Sequence, residues 1–489
     1  MGEINNNESK LDGDRDVDKV AKSPSTETSA GSEFYLLSAA AVAALAGFLY
    51  GYDTGIISGA LLKITDEFSL NSRSQELVTA AILLGAVIGA LGCGRISASI
   101  GRRKTIMLVA MVFALGVVFC SLSPSALWLG LSRLFLGFAV GGASQIVPVY
   151  IAELAPPERR GGLVTYFNIS IGIGILGAAL VGTFLRDVWN WRTMIVIAVI
   201  PAIALVLGMV RLPESPRWLV GQKRFRDAYR ALGLVRETRA EVTTEVRSIA
   251  ELHHGPDSKK GSGWAEFRKP WVRPALIAGL GISAFTQLSG IEMMIYYTPT
   301  FLVDAGIDRR AALYSALGVA IIYLALTITG KLVVDKVGRR NLCLYTIPGA
   351  VLALVFLGIA LNMDPASSAR HMLVVVCLFG FMVFNSGGIQ VVGWLYGSEV
   401  YPLSIRETAT SVHAATLWGS NLLLTGTALT VVNLLGVGGA MWFYALLNVL
   451  GFVFIYFWVP ETKGRSLEEI EQALERAEFS PMRRWLSDG

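Results

Sequence analysis

Twelve long apolar runs separated by short polar stretches organise this chain. They fall at residues 34–60, 76–99, 104–123, 126–151, 161–185 and 191–212, then at 274–303, 310–334, 341–362, 371–397, 405–432 and 436–459. Each has the ~20 apolar residues that a helix needs to cross roughly 30 Å of hydrocarbon. The pattern predicts an all-α membrane protein with twelve transmembrane helices.

The longest polar insertion follows the sixth run, between Glu214 and Lys269. Within it, Phe225–Leu232 and Ala240–Leu252 space their apolar residues three and four apart, which predicts short amphipathic helices. Pro256, Gly261 and Gly263 mark a loop after them. Near the C-terminus, Ser466-Leu-Glu-Glu469 reads as a capping box ahead of Ile470 and Leu474. The expected organisation is a disordered cytoplasmic tail (1–33), a six-helix half (34–212), a cytoplasmic linker (213–273), a second six-helix half (274–459) and a C-terminal tail (460–489).

Composition agrees with this picture. Only 16% of the 489 residues are charged and 53% are hydrophobic, against about a quarter charged in a soluble domain. The Lys and Arg behind the net charge of +5 sit mainly in short loops on one side of the predicted bundle. By the positive-inside rule that side, with both termini, is expected to be cytoplasmic, and no nucleic-acid partner is implied. The first 33 residues lack an apolar signal-peptide core. The short external loops lean towards a bacterial inner membrane. Cys93, Cys120, Cys343 and Cys377 stand singly in apolar runs and read as packing residues. Four histidines, with no metal-ligand spacing and no nucleophile–base pattern, argue against an enzyme, a metal or a cofactor.

An internal repeat divides the chain. Gly94 to Lys104 contains Gly101-Arg102-Arg103, and Gly330 to Arg340 contains Gly338-Arg339-Arg340. Tyr150-Ile-Ala-Glu153, followed by Arg160, pairs with Tyr396-Gly-Ser-Glu399, followed by Arg406. Pro213-Glu214-Ser215 pairs with Pro460-Glu461-Thr462. Three motif pairs in one order indicate a duplicated six-helix unit, an architecture that places a substrate between its halves near the midplane.

These motifs, with Gly51-Tyr-Asp-Thr-Gly-Ile-Ile-Ser-Gly59, Arg133 to Gly137, Pro213-Glu-Ser-Pro-Arg-Trp-Leu219, Gln287-Leu-Ser-Gly-Ile291 and Pro460-Glu-Thr-Lys-Gly-Arg465, resemble the sugar porter family of the major facilitator superfamily. The resemblance runs from Phe34 to Arg465 and is strongest to proton-coupled pentose, hexose and inositol carriers. It implies the major facilitator fold, with two pseudo-symmetric halves, and alternating-access transport of a sugar or polyol together with protons. A passive uniporter and a carrier of modified or amino sugars are the alternatives, and a monomer is expected.

Arg102, Arg103, Glu153, Arg160, Glu214, Arg217, Asp335, Arg339, Arg340, Glu399, Arg406 and Glu461 suit a salt-bridge lattice at helix ends. Such a lattice would hold the outward-facing state and break when the cytoplasmic side opens; the other reading is topology signals and solvated charge. Ala98 stands where many relatives have an acid, which predicts a weaker lattice in the first half. Asp53, an acid inside a membrane span, is a functional candidate by default, with Arg133 as its partner. Burial raises a carboxyl pKa and a cation lowers it, so a changing separation would switch proton affinity. A static ion pair is the alternative.

For a polyol, Asn168, Thr286, Gln287, Glu292, Tyr296, Tyr297, Trp394, Trp418 and Asn421 stand at positions matching the family's pocket or its rim. Amides supply donors and acceptors, and Trp an apolar face. Four positions depart from the family: Thr286 and Glu292 replace a usual Gln and Asn, Asn168 a Gln, and Leu417 an amide. Glu292 could receive a diol, a proton or a cationic solute, or pair with a cation. Gly387 and Gly388 mark a gating bend in helix ten, and Gly137, Gly141 and Gly142 close packing in helix four.

Overall fold

The computed structural model describes residues 33–156, 159–254, 267–364, 367–402, 405–465 and 467–480. Residues 1–32, the loop with Pro256, Gly261 and Gly263, and Ser466 lie outside them. No strand occurs among the described residues. The first half comprises α1 (Glu33–Phe68), α2 (Ser72–Ile100), α3 (Arg102–Ser121), α4 (Ala126–Leu154) and α5 (Arg160–Phe184), with a sixth span in two pieces, α6 (Trp191–Val196) and α7 (Val199–Arg211). Three short helices follow: α8 (Pro216–Gly221), α9 (Phe225–Gly233) and α10 (Arg239–His254). The second half comprises α11 (Arg273–Leu288) and α12 (Ile291–Asp304), α13 (Arg309–Val337), α14 (Arg339–Leu361), α15 (Ser368–Ser386) and α16 (Ile389–Glu399), α17 (Arg406–Thr425) and α18 (Ala428–Trp458). A last helix, α19 (Leu467–Glu475), buries Ile470 and Leu474.

Eleven of these spans are long and apolar enough to cross a membrane. The twelfth, α17, is helical where expected but falls short in apolarity. It carries His413, Asn421 and Thr425 into the interior and packs against α11 and, across the halves, against α2. A span enclosed by other helices does not need an all-apolar surface. By contrast, Leu77, Leu84, Ile88 and Leu91 on α2 are 43–58% exposed, the surface a helix facing lipid requires.

The hydropathy boundary at 436 coincides with a break: Gly436 (φ 74°, ψ 165°) leaves the helical region and divides α18 into a short helix from Ala428 and the last span after it. The eleventh span is itself interrupted after Thr425. Spans seven and ten are each interrupted. Gly290, at φ 95°, separates α11 from α12, and Gly387-Gly388 separates α15 from α16.

Within the first half, α1 lies against α5 and α2 against α4 with almost no space between backbones. A Cβ on Gly51 would fall 1.9 Å from the Ile171 carbonyl oxygen, and one on Gly141 2.0 Å from that of Ala86. The helix-four glycines thus serve packing, since any side chain would push the helices apart.

Candidate functional site

The duplicated motifs build the same device twice at the end of the bundle that carries the Arg-rich turns, here called the basic end. Gly101 and Gly338 share one backbone geometry, φ 97° with ψ 162° and 159°. Each starts the next helix, and each helix start receives a carboxylate. Glu214 accepts from the Arg103 amide (2.9 Å), and Glu461 from the Arg339 and Arg340 amides (2.8 and 3.0 Å). Free amides and the helix dipole favour an anion there. Beside each cap lies an Arg–Glu pair, Arg102–Glu153 (3.0 Å) and Arg339–Glu399 (2.7 Å). Ser215 donates to Glu153 and Thr462 to Glu399.

Every one of these contacts joins helices of the same half. They are formed beside the cavity described below and tie together segments of one half. Arg339 also holds Asp335 at 3.0 Å, one turn earlier, whereas Arg102 has Ala98 in that place. Arg340 reaches the Tyr456 carbonyl and Arg406 the Tyr401 carbonyl. Arg217 is exposed and makes no ion pair among the described residues; the Arg160 side chain lies outside what is described.

Asp53 on α1 and Arg133 on α4 meet inside the first half, with Arg133 Nη1 at 3.4 Å from Asp53 Oδ1 and both side chains at most 4% exposed. Arg133 Nε also donates to the Val78 carbonyl at 3.0 Å. Asp53 Oδ2 and Arg133 Nη2 have no hydrogen-bond partner among the described residues. The pair is long and only partly satisfied, so it can separate at less cost than a short bidentate bridge.

Between the halves, a cavity of ≈ 360 Å³ runs from mid-bundle to the basic end. Tyr50, Thr165 and Asn168 line it from the first half; Tyr323, Thr327, Gln390, Trp394 and Ser398 line it from the second, with Asp335, Arg339 and Glu399 at its mouth. Asn168 and Trp394 are thus among the cavity's lining residues. Gln390, Tyr323, Thr327 and Tyr50 were not anticipated. The spacing to Trp394, one helical turn from Gln390, was the available signal.

The other predicted residues lie deeper. Trp418 packs its edge against Tyr50 (centroids 5.2 Å apart) and donates to Ser144 of the first half at 3.1 Å. Tyr296 contacts Thr54 at 3.4 Å, and Tyr297 donates to the Thr425 carbonyl at 3.2 Å. Gln287 and Glu292 are 1% and 2% exposed, each with one unpartnered oxygen. Asn421 lies beside Glu292 and accepts from Thr425 at 2.8 Å. The Thr286 hydroxyl donates to the Ile282 carbonyl at 2.7 Å, and the side chain packs against Gly393.

Beyond this layer the halves are joined. Glu76 on α2, fully buried, accepts from the Thr430 amide (2.6 Å) and hydroxyl (2.8 Å) in the first turn of α18. Arg73 bridges Glu76 and the Gly426 carbonyl, both at 3.2 Å. Arg309–Asp66 (3.1 Å) and Arg310–Asp187 (3.9 Å) cross at the surface.

A twelve-span bundle of two matching halves, with a polar cavity between them reaching one end and contacts sealing the other, defines a membrane transporter of the major facilitator type, not an enzyme. The chain belongs to the Sugar (and other) transporter family, whose model matches residues 39–474. It is 36% identical over 436 residues to the galactose-proton symporter of Escherichia coli K12, covering 88% of this chain and 93% of that protein. It is 35% identical over 438 residues to the major myo-inositol transporter IolT of Bacillus subtilis, covering 88% and 92%. Among solved structures it resembles a partially occluded, inward-open form of the xylose transporter XylE from E. coli. The TM-score is 0.77 at 26% identity, over 89% of this chain and all of that one.

Proposed function

We propose that this chain is a proton-coupled symporter of a sugar or polyol, working by alternating access across a bacterial inner membrane. Residues 34–212 and 274–459 are its moving halves, 213–273 its linker and 460–489 its tail, with the basic end and both termini in the cytoplasm. The observation that carries coupling is the buried, incompletely bonded Asp53–Arg133 pair. Protonating Asp53 removes the attraction that holds it to Arg133, so proton binding favours the conformation in which they part, and that conformation favours proton binding in return. A polar cavity with an indole face and amides suits a polyol. Relatives described as a galactose-proton symporter and a myo-inositol transporter support this class.

The test is uptake by proteoliposomes of labelled hexoses, pentoses, inositols and amino sugars with and without an imposed proton gradient. The expected result is gradient-driven accumulation that Asp53→Asn abolishes. Uptake insensitive to a protonophore, with net transport retained by Asp53→Asn, would instead establish a uniporter.

A further inference from the structure

One buried carboxylate of the bundle has no cation paired to it among the described residues. Asp53 and Arg133 cancel each other at 3.4 Å. Glu292, in the first turn of α12, is 2% exposed and belongs to no ion pair among the described residues. Its Oε2 has no hydrogen-bond partner. Its surroundings are neutral: the Asn421 amide, whose Nδ2 makes no hydrogen bond, and the hydroxyls of Tyr50, Tyr296 and Tyr323 within electrostatic reach. Tyr50 and Tyr323 also line the cavity, so two of the hydroxyls within reach of Glu292 belong to its wall. A carboxylate out of water without a cation is among the costliest groups a protein can bury.

A proton alone would remove the charge but leave a second imbalance. Gln287 Oε1, on the last turn before the break at Gly290, and Gln390 Oε1, on the cavity wall, are also buried without donors. Three buried acceptors, Glu292 Oε2, Gln287 Oε1 and Gln390 Oε1, therefore lack donors among the described residues, while beside Glu292 the Asn421 Nδ2 is a donor without an acceptor. An ammonium supplies three donors and the missing charge together. Ring hydroxyls supply the rest, and the Trp394 indole offers a face for ring C–H groups.

We propose that the solute is a polyol bearing a protonated amine, an amino sugar or aminocyclitol, with its ammonium received by Glu292 and its hydroxyls by Gln390 and Asn168. This rests on the transporter reading above and narrows its substrate class.

The experiment compares glucosamine with glucose, and an aminocyclitol with its parent cyclitol, in proteoliposomes of the full chain. Wild type is expected to favour the amine by at least about tenfold in kcat/KM, the scale of one buried charged hydrogen bond. Glu292→Gln should bring that ratio near one, chiefly by raising KM for the amine, and Glu292→Asp should keep the preference. If the variants do not fold, the wild-type ratio still decides. Equal or better handling of the neutral parent by wild type, with or without Na⁺ or a proton gradient, overturns the proposal and leaves polyol transport standing. So does a Glu292→Gln variant with the wild-type ratio. Failure to move any sugar, polyol or amine overturns both.

Discussion

At the scale of single residues, the Asp53–Arg133 pair decides most. Both groups are in a medium that penalises charge, so removing one partner is worse than removing both. Arg133→Leu should cost about 3–5 kcal/mol, the usual effect of stranding a buried charge. It would be read as a lowered melting temperature of the purified protein in detergent. The double variant Asp53→Asn/Arg133→Leu should recover part of that loss, although it cannot couple. A double variant no more stable than Arg133→Leu would show that the guanidinium matters through packing or through its bond to Val78. This pair was legible in the sequence because an acid within an apolar run has few innocent explanations. Thr286 was not, because a hydroxyl bonded to its own helix and one facing a cavity look alike in one dimension. Glu76 was missed for a related reason. In the first turn of a span it reads as a water-facing charge, and only the fold brings Thr430, more than 300 residues away, onto it.

At the scale of elements, the breaks and the seal matter. Spans seven and ten are each two helices, and in span ten the break falls at the Gly387-Gly388 pair that the sequence marks. At Gly388 a Cβ would lie 1.9 Å from Thr346 Oγ1 and 2.8 Å from the Phe384 carbonyl oxygen. Gly388→Ala should therefore displace α16 with Gln390 and Trp394, lowering uptake severalfold while the protein remains in the membrane; wild-type uptake would show that α16 tolerates the shift. At the opposite end Glu76 caps α18 from the other half. Losing a capping side chain costs about 0.5–2 kcal/mol. Here that loss falls on only one of the two conformations, so Glu76→Ala should shift the population towards opening of the sealed end. A cysteine at Ser58, buried where α1 faces Ile295 and Leu313 of the second half, should then react faster with an impermeant maleimide in a background with Cys377 replaced. An unchanged labelling rate would assign Glu76 a purely structural role. Spans were readable from hydropathy wherever they face lipid. The interruption of the eleventh span after Thr425 was not, because polar residues enclosed by protein blur the contrast on which hydropathy depends.

At the scale of the whole molecule, duplication is visible in sequence and in space, and its small inequality is informative. Arg339 holds two acids, Glu399 and Asp335, where Arg102 holds Glu153 alone. Asp335 is 69% exposed, so its extra contribution is modest, within the ~0–1 kcal/mol of surface pairs. Asp335→Ala should accordingly change thermal stability little. Arg339→Ala should cost more than that, since it leaves two half-buried acceptors on Glu399 without their main donor. Equal effects from the two variants would mean that the brace owes little to the Glu399 contact.

The linker and tail sort with opposite halves. Arg236, paired to Glu245 at 2.7 Å, donates to the last carbonyls of α4 through Leu154 at 2.9 Å. The tail helix α19 packs instead with Val272 at the start of the second half. Each half therefore keeps its own trailing segment, with His254 and Phe267 the described residues on either side of the connection. A cut at this connection is therefore expected to leave each half whole. Two polypeptides produced together, one ending after α10 and the other starting at Phe267, should find each other in the membrane through the Glu76–Thr430 and Trp418–Ser144 contacts and work as a noncovalent pair.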